Sequence, residues 1–392
     1  MKTEKLSFLL FAAFLIVISS NNHVSAQDDF KNPLAGNLEA GSVKGAFYLS
    51  GNEVWGSSVI QHEDGKYYMF ASAWPAASGH WIWATSSQIV IATSDTPEGP
   101  YEFKKTAIAF RDKKYWDGGS IYNPVIKKHK DTYYLFYTGT TYGFKRPKNE
   151  TLYNRNDERF YIAWENQRIG VATSKHPMGP WKRYDKPIIS PREEQWDQVM
   201  TTNAAPIIHE DGSVTLFYKS SNLPMPERFK KDKNGNYIRK NNLPRFIIGV
   251  AKADHIFGEY RRTGENEGTI NIEGKLVDLE DPFAWYDGTN YHMIIKNFDK
   301  EFSDEAGAAL YLRSKDGVSW QLPSNDPKAY SQKITWKEGM TFELHRLEKP
   351  SILFENGKPA WLFAAAYFGK KNEKYCATPS CVYNIVFKIK KE

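Results

Sequence analysis

A short motif returns five times along this chain, and no other feature limits the fold as strongly. Each copy joins a small or polar residue, usually followed by Pro, to two apolar residues, an acidic or Gly turn and an aromatic-rich strand. The copies are Ser57-Ser58-Val59-Ile60 with Tyr67-Tyr68-Met69-Phe70, and Asn123-Pro124-Val125-Ile126 with Tyr133-Tyr134-Leu135-Phe136. Then come Ala205-Pro206-Ile207-Ile208 with Val214-Thr215-Leu216-Phe217, Asp281-Pro282-Phe283-Ala284 with Tyr291-His292-Met293-Ile294, and Lys349-Pro350-Ser351-Ile352 with Ala360-Trp361-Leu362-Phe363. A third run follows in several copies, clearest in Ile89-Val90-Ile91-Ala92-Thr93-Ser94 and Ile169-Gly170-Val171-Ala172-Thr173-Ser174. Short β-branched and aromatic runs bounded by Gly, Pro, Asp and Asn are strands joined by hairpins. Three such strands and an edge strand per copy describe a propeller blade, so the sequence predicts an all-β, five-bladed β-propeller in a single domain. A β-sandwich has similar strand content, but the fixed order of the motifs argues against it.

The ends bound the rest. Lys2 and Lys5, the apolar stretch Leu6 to Ile18 and Val24-Ser25-Ala26 before Gln27 read as a cleavable signal peptide over residues 1–26. The apolar run is short for a membrane span, and no second one exists. Export to the bacterial periplasm or medium is therefore expected, with a polar lead-in over residues 27–45 and the propeller over 46–392. In an exported protein, Cys376 and Cys381 suggest a local disulfide closing a turn. The net charge of +6 is modest for 392 residues, and its basic residues are local, which disfavours nucleic acid as a partner. A monomer is expected. No ligand spacing for a metal is evident, so no cofactor is required; a Ca2+ or other ion in the channel is left open.

Long insertions all fall between the second and third strands, at Ala73 to Ser87, Tyr142 to Arg168, Asn222 to Arg245 and Asn297 to Ala306. That gathers them on one face, where a rigid scaffold places binding residues. His80, Trp81 and Trp83 stand in the first, Phe160, Tyr161 and Trp164 in the second, and a basic run from Arg228 to Arg245 in the third. Aromatic plates with cations around a pit suit an anionic carbohydrate.

The blade motif resembles the five-bladed propellers of glycoside hydrolase family 43 and its relatives in families 117 and 32, over nearly all of the mature chain. The resemblance implies hydrolysis by carboxylates on inner strands, since a glycosidic bond needs one carboxyl to protonate it and another to attack or to activate water. Aligned on the residue before Pro, the inner strands read Ser57, Asn123, Ala205, Asp281 and Lys349. The first-blade base of such hydrolases is then Ser57, and the third-blade acid falls at Ala204 with Asn203 beside it. Both required carboxylates are missing. An exchange like that of family 117, with His345 as acid and Asp117 as base, would restore hydrolysis.

Near the end of each second strand stand Ser72, Thr138, Lys219, Lys296 and Ala365. Two lysines thus face the channel mouth. They pair with Asp281 and Glu348 in an inner ion network, or they bind a substrate carboxylate or sulfate. A pit poor in hydrolytic carboxylates but rich in Lys, His, Arg and Tyr suits β-elimination on a uronic acid, which needs a carboxylate neutraliser, a base and a proton donor. His345 is assigned as base, Tyr122 as donor, and Lys219, Lys296, Arg346 and Asn123 as the carboxylate site, with Asn203, Trp81 and His80 in the binding wall. The chain is similar to propeller enzymes of marine Bacteroidetes loci for acidic algal polysaccharides such as ulvan. The expected activity is an exo-acting lyase, in particular an oligosaccharide dehydratase forming a 4,5-unsaturated uronate. The alternatives are a family 43 or 117 type hydrolase using Asp117, Asp281 and Glu348 or His345, and a non-catalytic glycan-binding propeller.

Overall fold

The computed structural model describes residues 29–41, 47–147, 157–224, 227, 229–233, 237–239, 246–263, 268–298, 300–337, 339–368 and 381–390. The expected signal segment, Cys376 and most of the basic run in the third insertion lie outside the described residues, so the expected disulfide does as well. Among the described residues, no helix is long and apolar enough to cross a membrane.

Five antiparallel sheets stand around an axis, as the repeat predicts. Their innermost strands are Asn52–Gln61, Ser120–His129, Thr202–Ile208, Leu279–Tyr286 and Arg346–Glu355. Each neighbours the next, and the fifth returns to the first. Four sheets have four strands. The fifth has three, Arg346–Glu355, Lys358–Tyr367 and Val382–Lys388. Its outer edge is met by the N-terminal segment, where Phe47 and Asn384 exchange both backbone hydrogen bonds. Phe30 and Leu34 of the lead-in are buried with blades four and five. This N-terminal segment thus closes the ring against the fifth blade and covers an edge that would otherwise expose unpaired N–H and C=O groups.

Alternating side chains give each blade two apolar faces, and adjacent blades share one core. Phe70, Ile91, Leu135 and Tyr137 pack between blades one and two. Phe217, Val250, Met293 and Leu312 pack between three and four, and Val54, Met69, Trp361 and Phe363 between five and one. A separate apolar cluster lies under the insertions, built by Trp55, Trp74, Ile82, Phe160 and Trp164.

One detail of the repeat explains two of its glycines. Trp116 stacks on Tyr137 at 5.6 Å, and Trp196 stacks on Tyr218 at the same distance. A Cβ on Gly170 or Gly249 would lie 2.2 Å from the indole of Trp116 or Trp196, respectively, so only Gly admits the ring. The adjacent Asp117 and Asp197 are fully buried and accept from Tyr137 and Tyr218, each at 2.8 Å. Arg111 and Arg183 close around Asp117, as Arg192 and Arg262 do around Asp197. These aspartates tie consecutive blades together.

The inner strands share a second device. Each slips in register against its partner, between Trp55 and Ser58, Tyr122 and Val125, Thr202 and Ala205, Glu280 and Phe283, and Glu348 and Ser351. The first residue of each slip has a left-handed φ: Gly56 58°, Asn123 54°, Asn203 53°, Asp281 56° and Lys349 55°. This is a β-bulge repeated in every blade, and it re-aims a side chain toward the axis. It corrects the proline-based alignment. The equivalent residue is Gly56 rather than Ser57 in blade one, and Asn203 rather than Ala205 in blade three. Pro206 lies beyond the bulge, paired with Leu216. The corrected column still has no carboxylate in blade one or three.

Candidate active site

The bulges build the floor of a cavity of about 390 Å³ at the face that carries the insertions. Asn123 Nδ2 donates to Asn203 Oδ1 at 2.7 Å, and Asn203 Nδ2 donates to Asp281 Oδ1. Lys349 Nζ stands 3.5 Å from Asp281, and its stem fills the space where Gly56 has no side chain. Gly, Asn and Asp enter the left-handed region easily; Lys349 does not, at a cost of about 1–3 kcal/mol. The column is therefore a belt of polar contacts from Asn123 to Lys349, whose aliphatic stem packs on Gly56 where the ring closes.

One residue earlier on each inner strand stand Trp55, Tyr122, Thr202, Glu280 and Glu348. Opposite them on the second strands stand Ser72, Thr138, Lys219, Lys296 and Ala365, as the sequence predicts. The second-strand residue of one blade reaches the inner strand of the next. Ser72 Oγ accepts from the Asn123 amide at 2.9 Å, and Thr138 Oγ1 accepts from the Asn203 amide at 3.3 Å. In the same way Lys219 Nζ donates to Glu280 Oε1 and Lys296 Nζ to Glu348 Oε1, with Glu280 Oε2 at 3.8 Å from Lys296. Both lysines are buried and point inward. Their partners are Glu280 and Glu348, so the expected pairing of the two lysines with Asp281 and Glu348 holds for Glu348, while Asp281 pairs with Lys349.

These pairs set the protonation of the floor. Burial alone would raise both glutamates, but Lys219 and Lys296 hold Glu280 down at about 2. Against the same burial, Lys296 and Arg346 keep Glu348 below its usual value. Asp281 goes the other way: burial raises it to about 6 against the pull of Lys349, with Glu280 and Glu348 adding to the rise. Burial also lowers Lys349, whereas Glu348 and Glu280 raise Lys296 despite its burial.

The cavity mouth is different. His345 is exposed, and its imidazole is pushed down by partial burial and by Arg346 beside it, so it is neutral at pH 7. Arg346 lies 5.2 Å above the Trp81 ring and 3.9 Å from Glu348. His80 donates or accepts at Nδ1 with Glu53 at 2.6 Å. Trp81 and Trp83 pack edge-on against Phe160, which the helix Glu158–Glu165 brings over the rim. The side chain of Asp157 caps that helix by accepting from the Arg159 amide at 3.0 Å.

Twelve side chains carry the sequence assignment, and the cavity gathers eleven: His345, Tyr122, Asp281, Glu348, Lys219, Lys296, Arg346, Asn123, Asn203, Trp81 and His80. Asp117 is the exception. It sits in the interblade clamp described above, locked by two arginines and a tyrosine, and has no access to a sugar as base. Tyr122 reaches the wall but is 2% exposed, and its hydroxyl has no partner among the described residues. Burial keeps the phenol protonated far above its ordinary range, which makes it a reluctant donor. Sequence reading left Glu280 and Glu53 without a role and counted Lys349 only among the cations of the pit. The column one residue before the bulge would have found Glu280, since Asp281 marks the left-handed position that follows it; nothing local marks Glu53.

Among the described residues, one trio could hold a metal. His62, Asp64 and His176 bring ligand atoms within 4.8 Å of one another. Each already has protein partners: Tyr133 on His62, Tyr68 and the Lys66 amide on Asp64, and the Met178 amide on His176 Nδ1. None of the three lines the cavity.

The sheets and their one-sided axial well define a five-bladed β-propeller. A family 117 glycoside hydrolase of the marine bacterium Zobellia galactanivorans superposes with a TM-score of 0.57 at 17% identity, over 90% of each chain. A thermostable family 43 glycoside hydrolase matches at 0.53 and 13%, over 88% of this chain and 93% of its own. The family 43 enzyme of Xanthomonas citri, seen in complex with xylose, gives 0.54 and 13% over 91% of both. Identities this low establish a shared fold. No protein-family model matches the chain, and no curated protein does.

Proposed function

We propose that this is an exported carbohydrate-active enzyme that acts at the chain end of acidic, ulvan-like oligosaccharides by β-elimination, as a dehydratase forming a 4,5-unsaturated uronate. The observation that carries this reading is the charge balance of the cavity. Its lining holds Lys219, Lys296, Lys349 and Arg346 against Glu280, Asp281 and Glu348, a surplus of one positive charge. Three amines are matched to carboxylates, so the surplus falls to Arg346 at the mouth, over an aromatic plate. That arrangement suits one substrate carboxylate held against a sugar ring. Beside it the neutral His345 can take a proton, while the two floor glutamates are held ionised and cannot donate one.

In the reaction, Arg346 neutralises the uronate carboxylate and so acidifies the proton on C5. His345 takes that proton; the C–H electron pair becomes the C4=C5 bond, the C4–O bond breaks, and the departing hydroxyl takes a proton from a second group on the cavity surface to leave as water. Lys219 and Lys296 act at one remove, by fixing Glu280 and Glu348. No step is routed through a metal. A closed well with rim insertions favours a chain end over mid-chain attack.

A second reading has its own support. Glu280 and Glu348 both face the cavity, bridged by Lys296, and the structural neighbours are glycoside hydrolases. Hydrolysis by two carboxyl groups would need one of them protonated. Incubation with saturated uronate-ended oligosaccharides separates the readings. New absorbance near about 235 nm, from the conjugated acid that elimination creates, with chain length unchanged means dehydration. Absorbance with shortening means a lyase, shortening alone means hydrolysis, and retention without change means a binding module. His345→Ala is expected to abolish the absorbing product without loss of folding; a wild-type rate in that variant removes His345 from the mechanism.

A further inference from the structure

Breaking the C4–O bond requires a proton donor, and the hydroxyl of Tyr122 is sealed in the wall. One other group on the cavity surface has the geometry for the role. His80 opens a short helical turn, His80–Ile82, in the first insertion. Tyr367 stacks on its ring at 5.4 Å, and Trp55, Trp74 and Trp81 meet it edge-on at 5.5, 5.9 and 5.3 Å. The ring cannot turn within this cage. Its Nδ1 lies 2.6 Å from Glu53 Oε2, which leaves Nε2, unbonded among the described residues, for the cavity.

Glu53 differs from the other buried glutamates of the site. It is 4% exposed, and its only ion-pair partner among the described residues is His80. Glu280 and Glu348 each have a lysine. A buried carboxylate without a fixed cation is costly, and a protonated imidazole is the counter-charge at hand. A carboxylate on one ring nitrogen also sets the tautomer and aims the other nitrogen at the reacting group.

We propose that Glu53 and His80 form the proton-donating pair of this cavity, with His80 Nε2 protonating the oxygen that leaves the sugar. Glu53 is the positioning residue, acting through His80. The charged and titratable groups around the pair are Glu53 behind it, Tyr367 on its face, and His345 and Arg346 across the mouth. In the elimination, the proton that His80 gives up leaves in the water, and the proton taken from C5 resides on His345; exchange with solvent resets both rings. The inference rests on the reading that the cavity breaks a sugar C–O bond, but not on which bond. Hydrolysis also needs its leaving oxygen protonated.

The test uses the full chain and saturated uronate-ended oligosaccharides, with His80→Gln and Glu53→Gln beside the wild type. His80→Gln should lower kcat on a free 4-hydroxyl substrate by about 100-fold, and Glu53→Gln by about tenfold, with KM within about twofold. Glu53→Gln should also change the pH dependence of kcat, which a packing role would leave alone. On a uronate whose 4-oxygen carries sulfate, which departs without a proton, both variants should approach the wild-type rate. A His80→Gln variant that keeps wild-type kcat on the free hydroxyl overturns the proposal, and so does an equal loss on the sulfated substrate. Should His80→Gln not fold, Glu53→Gln decides by the same two substrates. Nitrogen NMR of the ligand-free wild type gives an independent reading. A His80 ring protonated on both nitrogens at the pH of the assay supports the pair, and a neutral ring whose Nε2 carries no proton overturns it. Wild-type protein that forms no absorbing product but shortens the chain refutes the elimination reading alone, and the variants are then judged on shortening.

Discussion

The two halves of the cavity solve one structural position in opposite ways. In the column just before the bulge, blades one and two carry Trp55 and Tyr122, while blades four and five carry Glu280 and Glu348. Thr202 of blade three stands between the two chemistries. The aromatic half continues upward through Trp74, Trp81, Trp83 and Phe160, which pack on one another. The ionic half continues sideways, lysine to glutamate, from blade three to four to five. The backbone is the same on both sides, so the difference lies in what each half can hold. The aromatic half offers apolar area and a rigid seat for His80. The ionic half stays charged whether or not a ligand is present, because its members satisfy one another, and so it can orient a substrate without collapsing. At the boundary, where Arg346 leans over Trp81, a cation lies within reach of both.

The comparison breaks first in the ionic half. Lys296→Met leaves Glu280 and Glu348 facing each other in a buried floor, and urea denaturation should show a loss of about 3–5 kcal/mol. Adding Glu348→Gln should recover part of it. A loss below about 1 kcal/mol for the single variant would mean that the floor is wetter than its burial indicates. Asp117→Asn should cost about 3 kcal/mol by the same measurement, since it unpairs a buried clamp. Its kcat per folded molecule should stay at the wild-type value, because Asp117 does not reach the cavity.

Acid sharpens the contrast. Glu280 is held at about 2, below its unfolded value of 4.5. Its contribution to stability is therefore complete above that unfolded value and is lost as pH falls from there toward about 2. Asp281 has the opposite sign: raised to about 6 from 3.8, it favours the fold when protonated and loses that contribution as pH rises through this interval. Melting temperature recorded from pH 6 downward should fall less steeply in Glu280→Gln than in the wild type.

At the boundary the effects are smaller and fall on binding. Arg346→Gln should raise KM for acidic oligosaccharides by about tenfold, with a weaker dependence on salt, and should leave retention of neutral ones unchanged. Trp81→Ala should raise KM only a few-fold, by loosening Arg346 and removing one stacking face. If Trp81→Ala proves the larger of the two, the aromatic half binds and the surplus charge does not.

How far the molecule could be read in advance differs from one column to the next. The second-strand column, Ser72 to Ala365, was legible because those strands are regular and a strict alternation carries the register along them. The inner-strand column was displaced in two blades, because Pro was used as the marker while the backbone is organised by the bulge. Pro124, Pro282 and Pro350 follow the bulge residue directly; Pro206 does not, and blade one has none. The inward lysines were readable from their position, but Glu280 as partner of Lys219 was not, since it stands in the next blade, 61 residues on. Asp117 was placed in the pit on residue type alone. Its blade-three counterpart Asp197, in the same Trp-Asp setting, was the available sign that it belongs to the repeat.

Repetition along the chain sufficed for the architecture: five hairpin motifs that each need a neighbour to bury two faces leave a closed ring as the consistent outcome, and the spacing of the insertions puts them on one side of it. The chemistry of the well required coordinates. Whether a buried lysine is free or paired, whether an aspartate clamps blades or faces a sugar, and which nitrogen of His80 is available all depend on contacts between residues far apart in sequence. Local patterns encode periodicity and turn type, whereas charge balance and proton position arise from distances across the axis that no single strand contains.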